Sequence, residues 1–143
     1  MSAQGGEPQQ RPGGLDSRRA RGRRGEYLAA EHLRRRGCVI LARNVRTRDG
    51  EIDVIVRDCR TIVFVEVKTR CVSARQASLR EDQLPLAALG ARQRARLRRL
   101  ALAWLNETRG ARHGAESVRF DAIGVVIDTR GRLRGIEHLK NAW

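Results

Sequence analysis

The stretch GEIDVIVRDCRTIVFVEVKTR, residues 50 to 70, constrains this chain more than any other. Two runs of apolar and β-branched residues flank a short polar turn, the pattern of a β-hairpin. Glu51, Asp53, Glu66 and Lys68 nevertheless sit inside those runs. Side chains alternate faces along a strand, so Ile52, Val54 and Val56 should point one way, and Glu51 and Asp53 the other. In the partner strand Val63, Val65 and Val67 share a face, while Phe64, Glu66 and Lys68 share the opposite one. A two-residue loop at Asp58-Cys59, or a four-residue loop over 57–60, predicts Asp53 opposite Phe64 and Glu51 opposite Glu66. A three-residue loop would mix the valine faces, so the pattern favours the even loops.

Like charges directly opposed across a strand pair destabilise it. A divalent cation removes the conflict, because carboxylate oxygens suit Mg²⁺ or Mn²⁺. Lys68 on the same face offers a positive group that could orient a water or stabilise charge on a phosphorus centre. The plainer alternative is a solvated strand face with Glu66 and Lys68 as an ordinary charge pair. Glu26 points the same way as the hairpin: it lies in helical register with Ala29, Ala30 and Leu33, the face that should pack on the sheet. An unpaired carboxylate there is costly, and Gly22 and Gly25 beside it permit close backbone approach. A first-turn Glu favoured by the helix dipole is the simpler account of the same residue.

Around the hairpin the chain reads as an α/β domain. Residues 1–16 are rich in Gly, Pro and Gln and read as a disordered tail, leaving 17–143 as one domain. A helix follows, ending at a Gly37 cap; residues 38–46 form a strand, and 50–56 and 61–69 the hairpin. Residues 71–90 are irregular. Residues 91–108 form an amphipathic helix with Leu97, Leu100, Ala101, Trp104 and Leu105 on its apolar stripe, and Arg92, Arg96 and Arg99 in a row on another face. Residues 118–128 read as a buried strand and the last segment as a short terminal strand. The order is α-β-β-β-α-β-β, an α/β fold with a central mixed sheet flanked by helices.

Thirty basic residues against sixteen acidic ones give a formal charge of +14, which favours a polyanionic partner. Only two of the thirty are lysines, Lys68 and Lys140, so a lysine inside the hairpin invites a chemical reason. Cys38, Cys59 and Cys71 form no CxxC pair, and His32, His113 and His138 have no zinc-like spacing with them. No apolar run approaches a membrane span, and the first residues lack the apolar core of a signal peptide, so a cytoplasmic protein is expected.

At RRGEYLAAEHLRRRGCVILARNVRTRDGEIDVIVRDCRTIVFVEVKTR, and again at RQRARLRRLALAWL, VRFDAIGV and IEHLKNAW, the sequence resembles the YraN family of bacterial proteins. That resemblance implies a restriction-endonuclease-like fold of the PD-(D/E)XK nuclease superfamily, similar to Holliday-junction resolvases. It gives Asp53 the Asp role, and Glu66 and Lys68 the two ends of (D/E)XK; Glu26 resembles the helical Glu that resolvase-like members add. Gly50 stands before Glu51 where many such nucleases carry Pro-Asp.

The leading expectation is therefore an endonuclease that hydrolyses phosphodiester bonds in DNA, branched or structured DNA included, with Mg²⁺ or Mn²⁺. Asp53 and Glu66 would hold the metal with Glu26 and the main-chain carbonyl of Val67, and Lys68 would position the attacking water. Glu51 is either a water-mediated outer ligand or a strand-start residue. Arg70 and the Arg92/Arg96/Arg99 row would hold phosphates without reading sequence. Resolvase-like enzymes cut two strands, which makes a homodimer an expectation as well. The alternative is a non-catalytic nucleic-acid-binding protein on the same scaffold. Five aromatic residues argue against single-strand binding by base stacking. A role of the 91–108 helix at a membrane surface or with a protein partner ranks below both.

Overall fold

A computed structural model of the chain describes residues 14–73, 75, 90–108 and 114–142. The elements are α1 (Gly14–Arg35), β1 (Val39–Thr47), β2 (Gly50–Asp58), β3 (Thr61–Val72), α2 (Ala91–Glu107), β4 (Ser117–Asp128) and β5 (Leu133–Leu139). This is the expected α-β-β-β-α-β-β order. Of the tail expected over 1–16, residues 1–13 lie outside the described residues, and 14–16 belong to α1. Most of the irregular 71–90 segment also lies outside them, although Cys71 and Val72 extend β3.

The five strands form one sheet in the order β1-β2-β3-β4-β5. β1/β2, β2/β3 and β4/β5 are antiparallel, and β3/β4 is parallel, joined through the connection that carries α2. Strand alternation divides the core in two. Val63 and Val65 of β3 face α1 and pack with Ala29 and Leu33, whereas Ile62 and Phe64 face α2 and pack with Leu97 and Leu100. Each fully buried side chain of this size stabilises the fold by about 1.5–3 kcal/mol. Trp104 belongs to the α2-side core, edge-on to Phe64 at 5.8 Å between ring centroids. Gly37 closes α1 as expected: at φ 86° it lets its own N–H reach Arg34 O and the Cys38 N–H reach Leu33 O.

The hairpin register differs from the expected one by two residues. The turn is Cys59-Arg60, with Asp58 opposite Thr61 and Ile55 opposite Phe64. Cys59 takes φ 53°, the sign that a primed two-residue turn needs at its first central position. Asp58 is also held from outside the hairpin by Arg119 at 3.1 Å. The shift preserves parity, so the valine alternation could not reveal it. Asp53 therefore aligns with Glu66 rather than Phe64, and Glu51 does not lie opposite Glu66.

A second departure matters more. The β2–β3 ladder ends at Val54–Val65. Beyond that pair, β2 follows β1 as far as Thr47–Gly50, and β3 follows β4 as far as Val72–Asp128. The two strands fork at Asp53. Alternation also breaks there: Val54 and Val56 face α1, but Ile52 packs on the α2 side with Ile55. The expected common face of Ile52, Val54 and Val56 is lost because no β3 ladder holds residue 53. Asn44 on β1, which falls across from Asp53 between the pairs Arg43–Val54 and Val45–Ile52, also takes a left-handed φ of 50°.

Candidate metal centre

Asp53 lies in the fork, and its carboxylate oxygen Oδ2 accepts the Val67 N–H at 2.8 Å. The side chain thus takes the place of the missing ladder and bridges β2 to β3. Glu26 is brought down to the same point from α1. A Cβ on Gly25 would overlap the Thr69 side chain, so only glycine allows α1 to lie this close to β3. Glu51 arrives from the start of β2. One carboxylate oxygen from each of Glu26, Glu51 and Asp53 lies within 4.8 Å of the other two. Such a set of hard oxygen donors fits Mg²⁺ or Mn²⁺.

Electrostatics agree with the geometry. Burial, then the Glu66 charge, pushes Asp53 up from 3.8 to about 8; Glu26 and Glu51 add to the rise, and the Val67 N–H opposes it. Glu26 is raised by burial and by Glu51, against the pull of Arg43, Arg23 and Asn44. The bare fold therefore disfavours the ionised carboxylates that it gathers, and a cation would remove that penalty.

Glu66 is buried and stands apart from the three-carboxylate group, although close enough for its charge to act on Asp53. Its Oε1 is ion-paired with Lys68 Nζ at 3.2 Å. The sequence-derived set thus divides: Glu26 and Asp53 converge with Glu51, while Glu66 and Lys68 form a neighbouring pair. Val67 contributes its N–H to Asp53. Glu51, left between two roles by the sequence, joins the inner group.

Two clefts meet at Glu26 and Gly22. One, of about 520 Å³, has Arg19, Arg23, Arg46, Asn44 and Glu51 in its walls. The other, of about 430 Å³, has Arg18, Arg21, Lys68 and Arg70. Acidic residues thus occupy the middle of a groove with basic walls, the charge pattern suited to a phosphodiester backbone passing over a cation. The arginines at 18, 19, 21 and 23 were not singled out from sequence, although the run SRRARGRR just before Glu26 carries them; Arg46, also not singled out, comes from β1. Arg70 is exposed on this groove as expected. The Arg92, Arg96 and Arg99 row lies on α2, which packs on the other face. Arg92 and Arg99 are exposed, and the Arg96 stem lies over Gly50, 3.4 Å from where a Cβ would sit.

A second polar cluster serves the fold. Asp121 is fully buried; it accepts from Arg119 Nε at 2.8 Å and the Asn141 N–H at 3.0 Å, and bonds His138 Nε2 at 2.8 Å. His138 Nδ1 in turn meets His32 Nε2 on α1 at 3.1 Å. Burial raises Asp121, but the bonds from His138 and Arg119 outweigh it and hold the carboxyl at about 2. The cluster ties α1, β4 and β5 together, and Arg119 extends it to Asp58 on β2. Among the described residues no helix is long and apolar enough to cross a membrane.

Known proteins are similar to this sequence over most of its length. Residues 25–125 match the model of "Uncharacterised protein family UPF0102". A "UPF0102 protein" of Acidothermus cellulolyticus is 45% identical over 121 residues, covering 80% of this chain and 86% of that protein. A "UPF0102 protein" of Pelotomaculum thermopropionicum is 38% identical over 128 residues, covering 90% of this chain and 98% of that one.

Proposed function

The chain belongs to the UPF0102 family, and we propose that it is a metal-dependent endonuclease hydrolysing phosphodiester bonds in DNA, branched or structured DNA included. The observation that carries this reading is the convergence of Glu26, Glu51 and Asp53 at the β2/β3 fork, beside Lys68 and between arginine-lined walls. The mixed sheet and the element order accord with the restriction-endonuclease-like fold that the sequence resemblance implies.

Asp53, Glu26 and Glu51 would hold Mg²⁺ or Mn²⁺, with Glu66 and the Val67 carbonyl proposed as further ligands. Bound there, the cation would supply Lewis-acid polarisation of the phosphodiester and a more acidic water. The protein's own residues do the rest. Glu66 fixes the Lys68 ammonium, which can orient a water and offset charge that grows on the phosphate oxygens. The Val67 N–H holds the Asp53 carboxylate in one orientation. Arginines in the two clefts hold the flanking phosphates and fix the backbone across Glu26.

The test is cleavage of labelled branched and linear DNA with Mg²⁺ or Mn²⁺ by wild type, Asp53→Ala and Lys68→Ala. Wild type should cut, and both variants should lose at least about 100-fold. Equal activity in all three would mark a contaminant and sink the proposal. The closed Glu66–Lys68 pair favours a second reading, a nucleic-acid-binding protein on a nuclease-like scaffold. DNA binding in chelator together with no cleavage under any cation would select it.

A further inference from the structure

We propose that Asn44 is the positioning residue that clasps Glu26 to Glu51 and so sets the cation affinity of the fork. This rests on the metal-site reading above and adds a residue that the sequence pattern did not mark. Asn44 lines the same cleft as both glutamates. With its amide oxygen turned towards them it would face only acceptors. With its NH₂ turned towards them it donates to Glu26 Oε2 at 2.8 Å and to Glu51 Oε1 at 3.1 Å. One amide group thus joins three elements: α1 through Glu26, β1 through itself, and β2 through Glu51.

The residue type suits the task. At φ 50° the backbone is left-handed, which Asn tolerates better than most side chains. That turn of the backbone occurs where β1 passes Asp53, the same point at which β2 breaks its alternation. A lysine or arginine here would neutralise the glutamates and compete with a cation. An aspartate would add a further negative charge. A neutral donor engages one oxygen of each carboxylate and leaves their full charge available to a metal. Hydrogen bonds of this kind to ligating carboxylates typically carry ten- to hundred-fold in metal affinity.

Asn44→Gly separates the side chain from the backbone, because glycine keeps the left-handed conformation. Titrating the full-length chain with Mn²⁺ by calorimetry should show a Kd about ten- to hundred-fold weaker than wild type. A Kd within twofold of wild type would overturn the proposal. A second measurement needs no metal: urea midpoints in EDTA for Asn44→Gly, Glu51→Ala and the double variant. The clasp predicts that the double variant shifts less than the sum of the two single shifts; additive shifts would refute it. Failure of wild type to bind Mn²⁺ would defeat the cation reading and the affinity claim with it, whereas the cycle in EDTA judges the clasp alone.

Discussion

Replacing Asp53 by Asn should stabilise the metal-free protein at alkaline pH while destroying its proposed cation site. Burial and the Glu66 charge raise the Asp53 carboxyl from 3.8 to about 8. Between those values the folded protein keeps a proton that the unfolded chain has lost, so this group makes stability fall as pH rises. The slope is about 1.4 kcal/mol per pH unit, which amounts to about 4 kcal/mol between pH 5 and pH 8. With a urea m-value of about 1.5 kcal/mol per M, the wild-type midpoint in EDTA should drop by about 2.5 M over that range relative to Asp53→Asn. Asparagine preserves the acceptor for the Val67 N–H, so the comparison isolates the charge. Comparing the two proteins also cancels His32, which burial depresses and which acts with the opposite sign: its effect on stability grows more favourable as pH rises towards the unfolded value and is complete above it. Urea melts at pH 5, 6, 7 and 8 in EDTA, then at pH 8 with 5 mM Mn²⁺ (about the concentration needed to saturate a weak site), make the assay. Parallel pH profiles for the two proteins would refute the electrostatic argument. So would an equal effect of Mn²⁺ on both.

Three further outcomes follow from the packing and the charges. Asp121→Ala leaves Arg119 and His138 without their buried partner and should cost about 3–5 kcal/mol, measurable as a lowered urea midpoint at pH 7. The stability that Asp121 contributes should be present above about pH 4 and disappear as pH falls towards its folded value of about 2, which acid titration by circular dichroism would follow. Gly25→Ala meets the Thr69 side chain and should destabilise by about 1–3 kcal/mol, whereas Gly22→Ala meets nothing within 4 Å and should gain about 1 kcal/mol of helix propensity; thermal melts of the two variants check the contrast.

The sequence made the element order and the two carboxylates Glu26 and Asp53 legible, because helical and strand periodicities are local. Period 3.6 turned Glu26 towards the sheet; period 2 set Glu51 and Asp53 on the face opposite Val54 and Val56, a facing that the break in alternation at the fork undoes. The turn at Cys59-Arg60 was not legible, since a register shift of two leaves every side chain on the same face. Neither was the fork: a strand that changes partner midway looks, residue by residue, like one that does not. Asn44 offered only its residue type, a poor strand former between Arg43 and Val45. The Asp121–His138–His32 chain offered none, because residues so far apart in sequence meet only through the completed sheet. The arginine run before Glu26 announced positive charge but not which residues would line the groove, which depends on where Gly25 seats α1 against Thr69.

The fork as a divalent-cation centre is the claim on which the rest depends, and anomalous diffraction from crystals soaked in Mn²⁺ tests it most directly. A manganese peak bounded by Glu26, Glu51 and Asp53 should appear, and it should be absent from Asp53→Asn crystals treated alike. A soaked wild-type crystal with no peak at the fork, or with the same peak retained in Asp53→Asn, would contradict it.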